Sequence, residues 1–406
     1  MAIPAIDDLK QSNEFLNILL DSITSAVFVV DREVRLHSFN NSFTALFHKS
    51  ETQLLGELCG NAMGCAFAVT EDKKCGETSN CHVCELRKAM LGVFARKVPA
   101  YKEKLTRVFF IGGKPLKKHF LVSTRHLPFG EEDMAVVIVD DVTETENQRL
   151  RLMEDLEAAG EVQRCLLPPS ACSAANMQAA WEFKPSHSIG GDIFNFFMLD
   201  GEHMAAYMLD VSGHGAPSAM VAALASQAML PRSGYLLGQD GESQAIASPA
   251  KVLSELDRDF PINRFERFFT MNYLVCNLRT GELVYSSAAH PAPILQSPDG
   301  DLAFLEEGGS IVGLGGAMPF EEGRGVLEPG ARLFLYTDGI PEYRNKDGEF
   351  FGTDRFFELI RQSRSLPLKK ALASIMERIL TFGDGEPPQD DVSLLAFEFT
   401  PAPEAS

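Results

Sequence analysis

The sequence is poor in positive charge and contains no long apolar run. Its 406 residues include 37 Lys and Arg against 56 Asp and Glu, which gives a formal net charge of −19. A nucleic-acid-binding protein needs a basic face that displaces counterions, and a polybasic membrane anchor needs clustered Lys and Arg. No apolar run approaches the roughly 18 residues that span a bilayer. We therefore expect neither a nucleic acid nor a membrane as a partner.

The N-terminus also lacks the pattern of a secretory signal. The first ten residues, MAIPAIDDLK, carry two aspartates and no basic segment followed by an apolar one. We therefore expect the protein in the cytoplasm, where its eight cysteines would be free thiols, metal ligands or redox groups rather than structural disulfides. The length predicts two or three domains, and 45% hydrophobic residues are enough for folded cores.

Residues 1–141 are predicted to form a small mixed domain. Two strand-like segments are followed by a helix, and three more strand-like segments come later, the first two separated by Gly112-Gly113 in hairpin fashion. This order resembles a PAS domain, and Asp141-Val142-Thr143 resembles the Asp-x-Thr closure by which PAS domains pass to an output helix. The resemblance implies an α/β sensor. The predicted strands are Ala26–Val30, Val34–Phe39, Thr106–Ile111, His119–Arg125 and Met134–Val139.

Residues 142–169 are predicted to form a connector helix that Pro168-Pro169 ends, because proline removes a backbone donor. Its apolar and small residues step by 4, 3, 4 and 3, the spacing of a coiled-coil seam. Two interpretations stay open: a helix packed on its own domain, or a parallel helix pair that forms a homodimer together with the PAS-like domain. The seam residues are Leu152, Leu156, Ala159, Gln163 and Leu166.

Residues 170–400 are predicted to form an α+β domain, because strand-like segments outnumber the helices that would alternate with them in a doubly wound sheet. The predicted strands are Met204–Asp210, Phe269–Leu278, Leu283–Ser287, Arg332–Thr337 and Val392–Phe399. The predicted helices are Ala216–Leu230, Pro249–Phe260, Thr353–Arg361 and Leu368–Phe382.

Several aspartates of this region stand at the ends of predicted elements, mostly beside glycine. A single Asp-Gly pair is a common turn, but several carboxylates meeting at one rim of a sheet repel each other unless cations neutralise them. Hard oxygen ligands suit Mg²⁺ or Mn²⁺, and two such ions can polarise a phosphoryl group. The residues are Asp192, Asp210, Asp338 and Asp390, with Asp391 next to the last.

A series of motifs in this region closely resembles the bacterial SpoIIE-type members of the PPM, or protein phosphatase 2C-like, family. The motifs are Glu161-Val162-Gln163, Ile189-Gly190-Gly191-Asp192, Asp210-Val211-Ser212-Gly213-His214-Gly215, Phe269-Thr270, Ser287-Ala288-Ala289-His290-Pro291, Tyr336-Thr337-Asp338-Gly339 and Asp390-Asp391-Val392. The resemblance implies an αββα sandwich of two stacked sheets flanked by helices. One departure is Ala289, where the family often has glycine, and a side chain there disfavours a positive φ.

The resemblance also implies a catalytic site. Asp210 would bridge two Mn²⁺ or Mg²⁺ ions, with Val211 next to it as the position of a backbone ligand. Asp192, Asp338 and Asp390 would complete the shells, and Asp391 would be an outer or alternative ligand. A metal-bridging hydroxide would then attack a phosphoserine or phosphothreonine without a covalent phosphoenzyme. Accessory candidates near this site are Gly191, His214 and His290, the last as a proton donor to the leaving group.

The implied substrate is a phosphorylated STAS-domain anti-anti-sigma protein of a partner-switching pathway. Two other functions stay open. One is a binding regulator that holds the same partner without hydrolysis, which the four intact aspartates disfavour. The other is a phosphatase of a different phosphoester, since no motif describes the surface that binds the substrate.

Five cysteines fall together in the PAS-like region. Thiolates at four of them would suit Zn²⁺ or an iron–sulfur cluster, although their spacing matches no standard zinc ribbon. The alternatives are a reversible thiol–disulfide sensor and unreactive free thiols. The four are Cys65, Cys75, Cys81 and Cys84, and the fifth is Cys59.

Overall fold

A computed structural model describes residues 13–129, 132–169, 171–174, 176–231, 235–237 and 245–400. The chain divides into two compact units, Met1–Leu152 and Met153–Ser406. The division falls inside the predicted connector, so the predicted limits at 141 and 169 stay predictions. In the described residues, no helix is both long enough and apolar enough to cross a membrane.

The N-terminal unit contains one five-stranded antiparallel sheet, in the order β2-β1-β5-β4-β3, with short helices inserted between β2 and β3. This topology agrees with the predicted PAS-like fold. Aromatic side chains that contact one another, among them Phe28, Phe43 and Phe47, fill the core beneath the sheet. The elements are α1 Asn13–Asp21, β1 Ala26–Val30, β2 Leu36–Phe39, α2 Asn41–Phe47, α3 Cys59–Ala62, α4 Ala66–Thr70, α5 Glu85–Arg96, β3 Ala100–Ile111, β4 Lys114–Phe129 and β5 Glu132–Asp141.

The predicted Asp-x-Thr closure is present at the end of β5. The Thr143 backbone N–H and hydroxyl both donate to Asp141 Oδ1, at 3.0 and 2.5 Å. The Thr143 hydroxyl oxygen in turn accepts from the His119 backbone N–H at 3.0 Å. These bonds tie the last two strands to the start of the next helix, α6 Thr143–Arg164.

The C-terminal unit contains two six-stranded sheets. One has the order β14-β11-β10-β9-β8 with β15 beside β11, and the other has the order β13-β12-β16-β17-β7-β6. All strand pairs are antiparallel except the short pair β11–β14. The elements are β6 Ala171–Ala174, β7 Met177–Lys184, β8 Asp192–Met198, β9 His203–Val211, α7 Ala216–Ala228, α8 Pro249–Asp259, α9 Ile262–Phe265, β10 Phe269–Asn277, β11 Glu282–Ala288, β12 Ile294–Gln296, β13 Leu302–Phe304, β14 Gly308–Gly309, β15 Gly323–Val326, β16 Arg332–Tyr336, α10 Thr353–Gln362, α11 Leu368–Phe382 and β17 Val392–Phe399.

Three apolar cores arrange these elements in layers. One core joins α7 and α8 to the first sheet, a second lies between the two sheets, and a third joins α10 and α11 to the second sheet. Strands such as β9 and β17 are buried on both faces because each faces a sheet on one side and helices on the other. The predicted αββα sandwich is therefore confirmed.

Candidate active site

The site begins where two neighbouring strands place aspartates side by side. Asp192, the first residue of β8, pairs with Asp210 near the end of β9, which places their carboxyl groups side by side. The second sheet brings Asp338 just after β16 and Asp390-Asp391 just before β17. All of these carboxylates are close enough to interact electrostatically, so the structure brings the predicted set together at one end of the sandwich.

Asp192 is deeply buried, with only 2% of its surface exposed. Its Oδ2 accepts the Thr337 hydroxyl at 2.8 Å and the Ser393 hydroxyl at 2.5 Å. Thr337 precedes Asp338 and Ser393 lies at the start of β17, so both hydroxyls link the first sheet to the second. Sequence reasoning assigned neither residue a role, although Thr337 lies inside one motif and Ser393 directly follows another.

Asp391 is also buried, and protein donors hold it. Its Oδ1 accepts from the backbone N–H and the hydroxyl of Ser186, at 2.8 and 3.0 Å. Its Oδ2 accepts from the backbone N–H of Asp192 at 3.4 Å. Asp390 faces solvent, and its Oδ1 accepts the Asp391 N–H at 2.8 Å. These contacts agree with the predicted outer role of Asp391 and leave Asp390 free to meet a ligand.

Three glycines allow the carboxylates and the neighbouring backbone to approach closely, because a Cβ at any of them would collide with an adjacent group. A Cβ on Gly190 would overlap the Asp391 carboxylate, and one on Gly339 would overlap the Asp391 carbonyl oxygen. A Cβ on Gly191 would lie 2.7 Å from the Val211 carbonyl oxygen and 3.2 Å from Asp210 Oδ1. The predicted accessory residue Gly191 thus lies directly against the Asp210-Val211 backbone, because it has no side chain.

The carboxyl groups resist ionisation in this environment. Burial, together with the charges of Asp338, Asp390 and Asp391, raises the pKa of Asp210 to about 7. Burial and the neighbouring Asp210 and Asp391 also raise the pKa of Asp192. Burial raises the pKa of Asp338, with a contribution from Glu342, and that of Asp390. Crowded carboxylates behave in this way when no cation balances them.

The donor set fits hard divalent cations, since it consists of carboxylate and carbonyl oxygens. In the described part of the chain, however, no group of three or more His, Cys, Asp or Glu side chains is arranged to hold one ion. The mutual repulsion that raises the pKa values of these carboxyl groups is the force that a divalent ion would relieve.

The loop after Asp210 adds polar groups to the rim. Gly213 and Gly215 both have positive φ, and Ser212 bonds to Phe268 through its backbone and its hydroxyl. His214 stacks on His187 with ring centroids 5.4 Å apart, and its charge acts on Asp390, so it is a neighbour of the site as predicted. Arg267 lies against Gly213, and sequence reasoning missed it.

His290 does not suit the predicted proton-donor role. Its Nδ1 lies 2.7 Å from the Thr270 hydroxyl, and the ring is buried. Burial lowers the pKa of His290 to about 3, so the imidazole is neutral at ordinary pH and has no proton to give as an imidazolium. The adjacent Ala289 adopts φ +49°, so the loop keeps the positive φ despite the side chain.

The end of α6 contacts the segment that carries Asp192. Gly160 is the buried residue of this helix, and a Cβ there would overlap the Ser188 carbonyl oxygen. Gln163 exchanges two hydrogen bonds with the backbone of Gly190, at 2.8 and 3.1 Å. The seam residue Leu152 is 60% exposed, so the predicted helix pairing stays a prediction.

The five clustered cysteines all line one pocket of the N-terminal unit. All five are free thiols. Among the described residues, no three of these cysteines are arranged to hold a metal ion. A single tetrahedral Zn²⁺ at Cys65, Cys75, Cys81 and Cys84 is therefore not supported by this arrangement.

Solved structures give the class of the C-terminal fold. The SiaA-PP2C domain of Pseudomonas aeruginosa matches 62% of this chain and 98% of its own, with a TM-score of 0.53 and 22% identity. The two stacked sheets with a carboxylate rim thus have the protein phosphatase 2C fold.

Family comparison agrees with that class. Residues 200–400 match the family described as Stage II sporulation protein E (SpoIIE). The C-terminal part of the chain is similar to this family.

Three individual relatives have low sequence identity to this chain. Phosphoserine phosphatases RsbU and RsbP of Bacillus subtilis are each 26% identical, over 62% and 57% of this chain and 73% and 54% of their own lengths. Protein IcfG of a Synechocystis strain is 24% identical over 60% of this chain. The match spans only 41% of the length of IcfG.

Proposed function

We propose that the C-terminal unit hydrolyses phosphoserine or phosphothreonine in a protein substrate, using two Mn²⁺ or Mg²⁺ ions. The observation that carries this proposal is the convergence of Asp192, Asp210, Asp338 and Asp390 from two sheets onto one rim of a SpoIIE-like domain. A turn-forming role explains one such aspartate, but not four that repel one another across a sheet interface.

Asp192, Asp210, Asp338 and Asp390 would hold the ions, together with the carbonyl of Val211. Such ions activate water and neutralise charge on the phosphoryl group. The protein contributes the rest. Thr337 and Ser393 fix one oxygen of Asp192, so only its other oxygen remains for a ligand. Asp391 holds Ser186 and the Asp192 backbone in place from the outside.

The proposed substrate is a phosphorylated STAS-domain protein of a partner-switching pathway. Support comes from the relatives RsbU and RsbP, whose names describe phosphoserine phosphatases. In this proposal the PAS-like unit senses a signal and regulates the phosphatase, and the PAS-like unit and α6 form a homodimer. Light scattering that gives a monomer mass at micromolar concentration would contradict the dimer.

The activity test measures p-nitrophenyl phosphate hydrolysis by the whole chain with Mn²⁺, Mg²⁺ or EDTA. We expect turnover that needs a divalent ion and is lost in Asp210→Asn, whereas Asp354→Asn, an exposed aspartate on α10, keeps it. Turnover in EDTA, or full activity in Asp210→Asn, would contradict the proposal.

A second assay separates the two other functions. The phosphorylated STAS-domain protein is supplied as substrate, and both its phosphate release and its binding are measured. Binding without phosphate release under every metal condition would support a regulator that does not hydrolyse. Release from small phosphoesters but not from the phosphoprotein would support a different substrate class.

A further inference from the structure

The clustered cysteines form an enclosed site that the phosphatase activity does not use. All five line one cavity of about 20 Å³ together with the guanidinium groups of Arg87 and Arg107. This volume is room for about one water molecule, so an iron–sulfur cluster does not fit without movement of the walls. Cys65, Cys75, Cys81 and Cys84 are only partly buried, so small solutes can approach them. Such a pocket, with two cations beside its thiols, is a place where a thiolate is stabilised.

Two of the thiols lie close together. Cys59 on α3 and Cys75 in the loop after α4 both line this cavity, and each changes the acidity of the other. The loop is tied to the helix at this point, because the Cys75 backbone N–H donates to Asn61 Oδ1 at 2.8 Å. Gly60 makes the approach feasible, since a Cβ there would lie 2.6 Å from Cys75 Sγ.

The other three thiols are occupied differently. Cys81 Sγ accepts the Gly76 N–H at 3.0 Å and lies 2.9 Å from the Thr78 hydroxyl. Cys84 Sγ accepts from Arg107 at 3.2 Å, and Cys65 bonds to the same guanidinium. These three thiols have nitrogen or oxygen partners, and Cys59 with Cys75 is the pair in which each thiol most strongly affects the other.

The two members of the pair differ in acidity. The Cys59 hydrogen bond, a backbone bond from Gly60 and the charge of Arg87 lower the pKa of Cys75 to about 6 against the opposing effect of burial. The same hydrogen bond and complete burial raise the pKa of Cys59. At neutral pH the half-buried Cys75 is thus a thiolate, and the buried Cys59 is the protonated donor beside it.

We propose that Cys75 and Cys59 form an oxidisable dithiol site that a hydroperoxide converts to an intramolecular disulfide. The Cys75 thiolate attacks a peroxide oxygen, the O–O bond breaks, and the sulfur becomes a sulfenic acid while the peroxide is reduced to water or an alcohol. The Cys59 sulfur then attacks Cys75 Sγ, the S–O bond breaks, and the hydroxyl leaves as water with the Cys59 proton. In sum, two thiols and one hydroperoxide give one disulfide, one water and one alcohol or second water.

The test uses the reduced whole chain treated with an equimolar amount of hydrogen peroxide, blocked with N-ethylmaleimide and digested with trypsin. Cleavage after Lys49, Lys73, Lys74 and Arg87 leaves Cys59 on peptide 50–73 and Cys75 on peptide 75–87. We expect these peptides to be cross-linked, with fragment ions assigning the bond to Cys59 and Cys75. Oxidation of Cys75 should be at least about tenfold faster than that of the buried Cys276, an internal control.

Variants separate the two steps. Cys59→Ala should stop at the sulfenic acid, which dimedone labels at Cys75, and Cys75→Ser should abolish peroxide oxidation in the cluster. Cys81→Ser is the matched control from the same pocket and should keep the disulfide. Circular dichroism checks that each variant is folded. If Cys59→Ala does not fold, the cross-link in the unmodified chain and the result for Cys75→Ser test the proposal without it.

Three results would overturn the proposal. The first is a wild-type disulfide that joins other cysteines, and the second is a cluster that peroxide leaves reduced. The third is stoichiometric iron, sulfide or zinc in anaerobically purified protein, lost on replacing Cys65, Cys81 or Cys84, which would show a metal site instead.

Discussion

The side-chain amide of Gln163 forms two hydrogen bonds with the backbone of Gly190. The Gln163 Nε2 donates to the Gly190 carbonyl oxygen at 2.8 Å, and the Gly190 N–H donates to Gln163 Oε1 at 3.1 Å. Gly190 lies two residues before Asp192 in the chain, and it packs against the carboxylate of Asp391. The last turn of α6 is therefore linked through one glycine to the carboxylate rim.

Loss of this link should lower phosphatase activity. Gln163→Ala removes two partly buried hydrogen bonds, which together contribute about 2 kcal/mol. The resulting fall in kcat should therefore be at most about thirtyfold. Gly160→Ala should have a larger effect, because its Cβ would overlap the Ser188 carbonyl oxygen and displace the helix. Steady-state kinetics with p-nitrophenyl phosphate give the comparison.

Glu157→Ala is the control for both variants, since Glu157 lies exposed on the same helix. It should retain the activity of the unmodified chain. Equal activity in Gln163→Ala and Glu157→Ala would show that the amide bonds to Gly190 do not matter for catalysis.

A pair of glycines tests the packing at the rim. Gly190→Ala should abolish activity, because the new methyl group would occupy the position of the Asp391 carboxylate. Gly201→Ala makes the same chemical change in a turn where a Cβ meets nothing within 4 Å. We expect Gly201→Ala to be fully active and Gly190→Ala to bind Mn²⁺ more weakly in calorimetric titration. Similar metal affinities for the two variants would contradict the placement of Gly190.

The raised carboxyl pKa values predict how stability depends on pH without metal. The pKa of Asp210 rises on folding from 3.8 to about 7, so the folded chain binds more protons than the unfolded chain between these values. Stability in EDTA should therefore fall as pH rises through this window. Thermal unfolding midpoints measured in EDTA from pH 4 to pH 8 test this sign.

Two comparisons complete that experiment. Asp210→Asn should be more stable than the unmodified chain at pH 8 in EDTA, because it removes a repelling charge. Added Mn²⁺ should raise the unfolding midpoint of the unmodified chain at pH 8, but not that of Asp210→Asn. A midpoint in EDTA that rises from pH 4 to pH 7 would contradict the charge crowding at the rim.

Arg267 is predicted to contact the phosphoryl group of the substrate. Its Nε is buried and has no hydrogen-bond partner among the described residues, and its guanidinium lies beside Gly213 in the loop after Asp210. Arg267→Ala should raise KM for a phosphoprotein by about tenfold, the effect of one lost charge-assisted hydrogen bond, with a smaller change in kcat. Arg267→Lys should recover part of the affinity. Arg258→Ala, at the exposed pair with Asp259, is the control.

Most long elements could be predicted from pattern alone. Strand β17 and helix α11 begin and end at the predicted residues, because a doubly buried strand leaves a short continuous apolar run and an amphipathic helix leaves a clear periodicity. Helix α5, strands β6, β7 and β8 and the short strands β12–β15 were missed. Their length or mixed composition leaves too weak a pattern, and tertiary packing decides their state.

The glycine-rich segment around Gly315 shows a different limit. The backbone N–H groups of Gly313, Leu314 and Gly316 converge on an anion. That anion is the buried carboxylate of Asp257, at 2.6 to 2.7 Å from these three nitrogens. Residue spacing could not reveal this, since the acceptor lies more than fifty positions away in the chain.

The amino-acid sequence by itself determined the carboxylate chemistry, because Asp192, Asp210, Asp338 and Asp390 are recognisable from the residue types beside them. Only the tertiary structure decided which groups support them. The hydroxyls of Thr337 and Ser393, the amide of Gln163 and the thiol pair Cys59–Cys75 acquire their roles through contacts that the folded backbone creates. Hydrogen bonds between distant segments depend on distances of a few ångströms, which periodicity and composition do not encode.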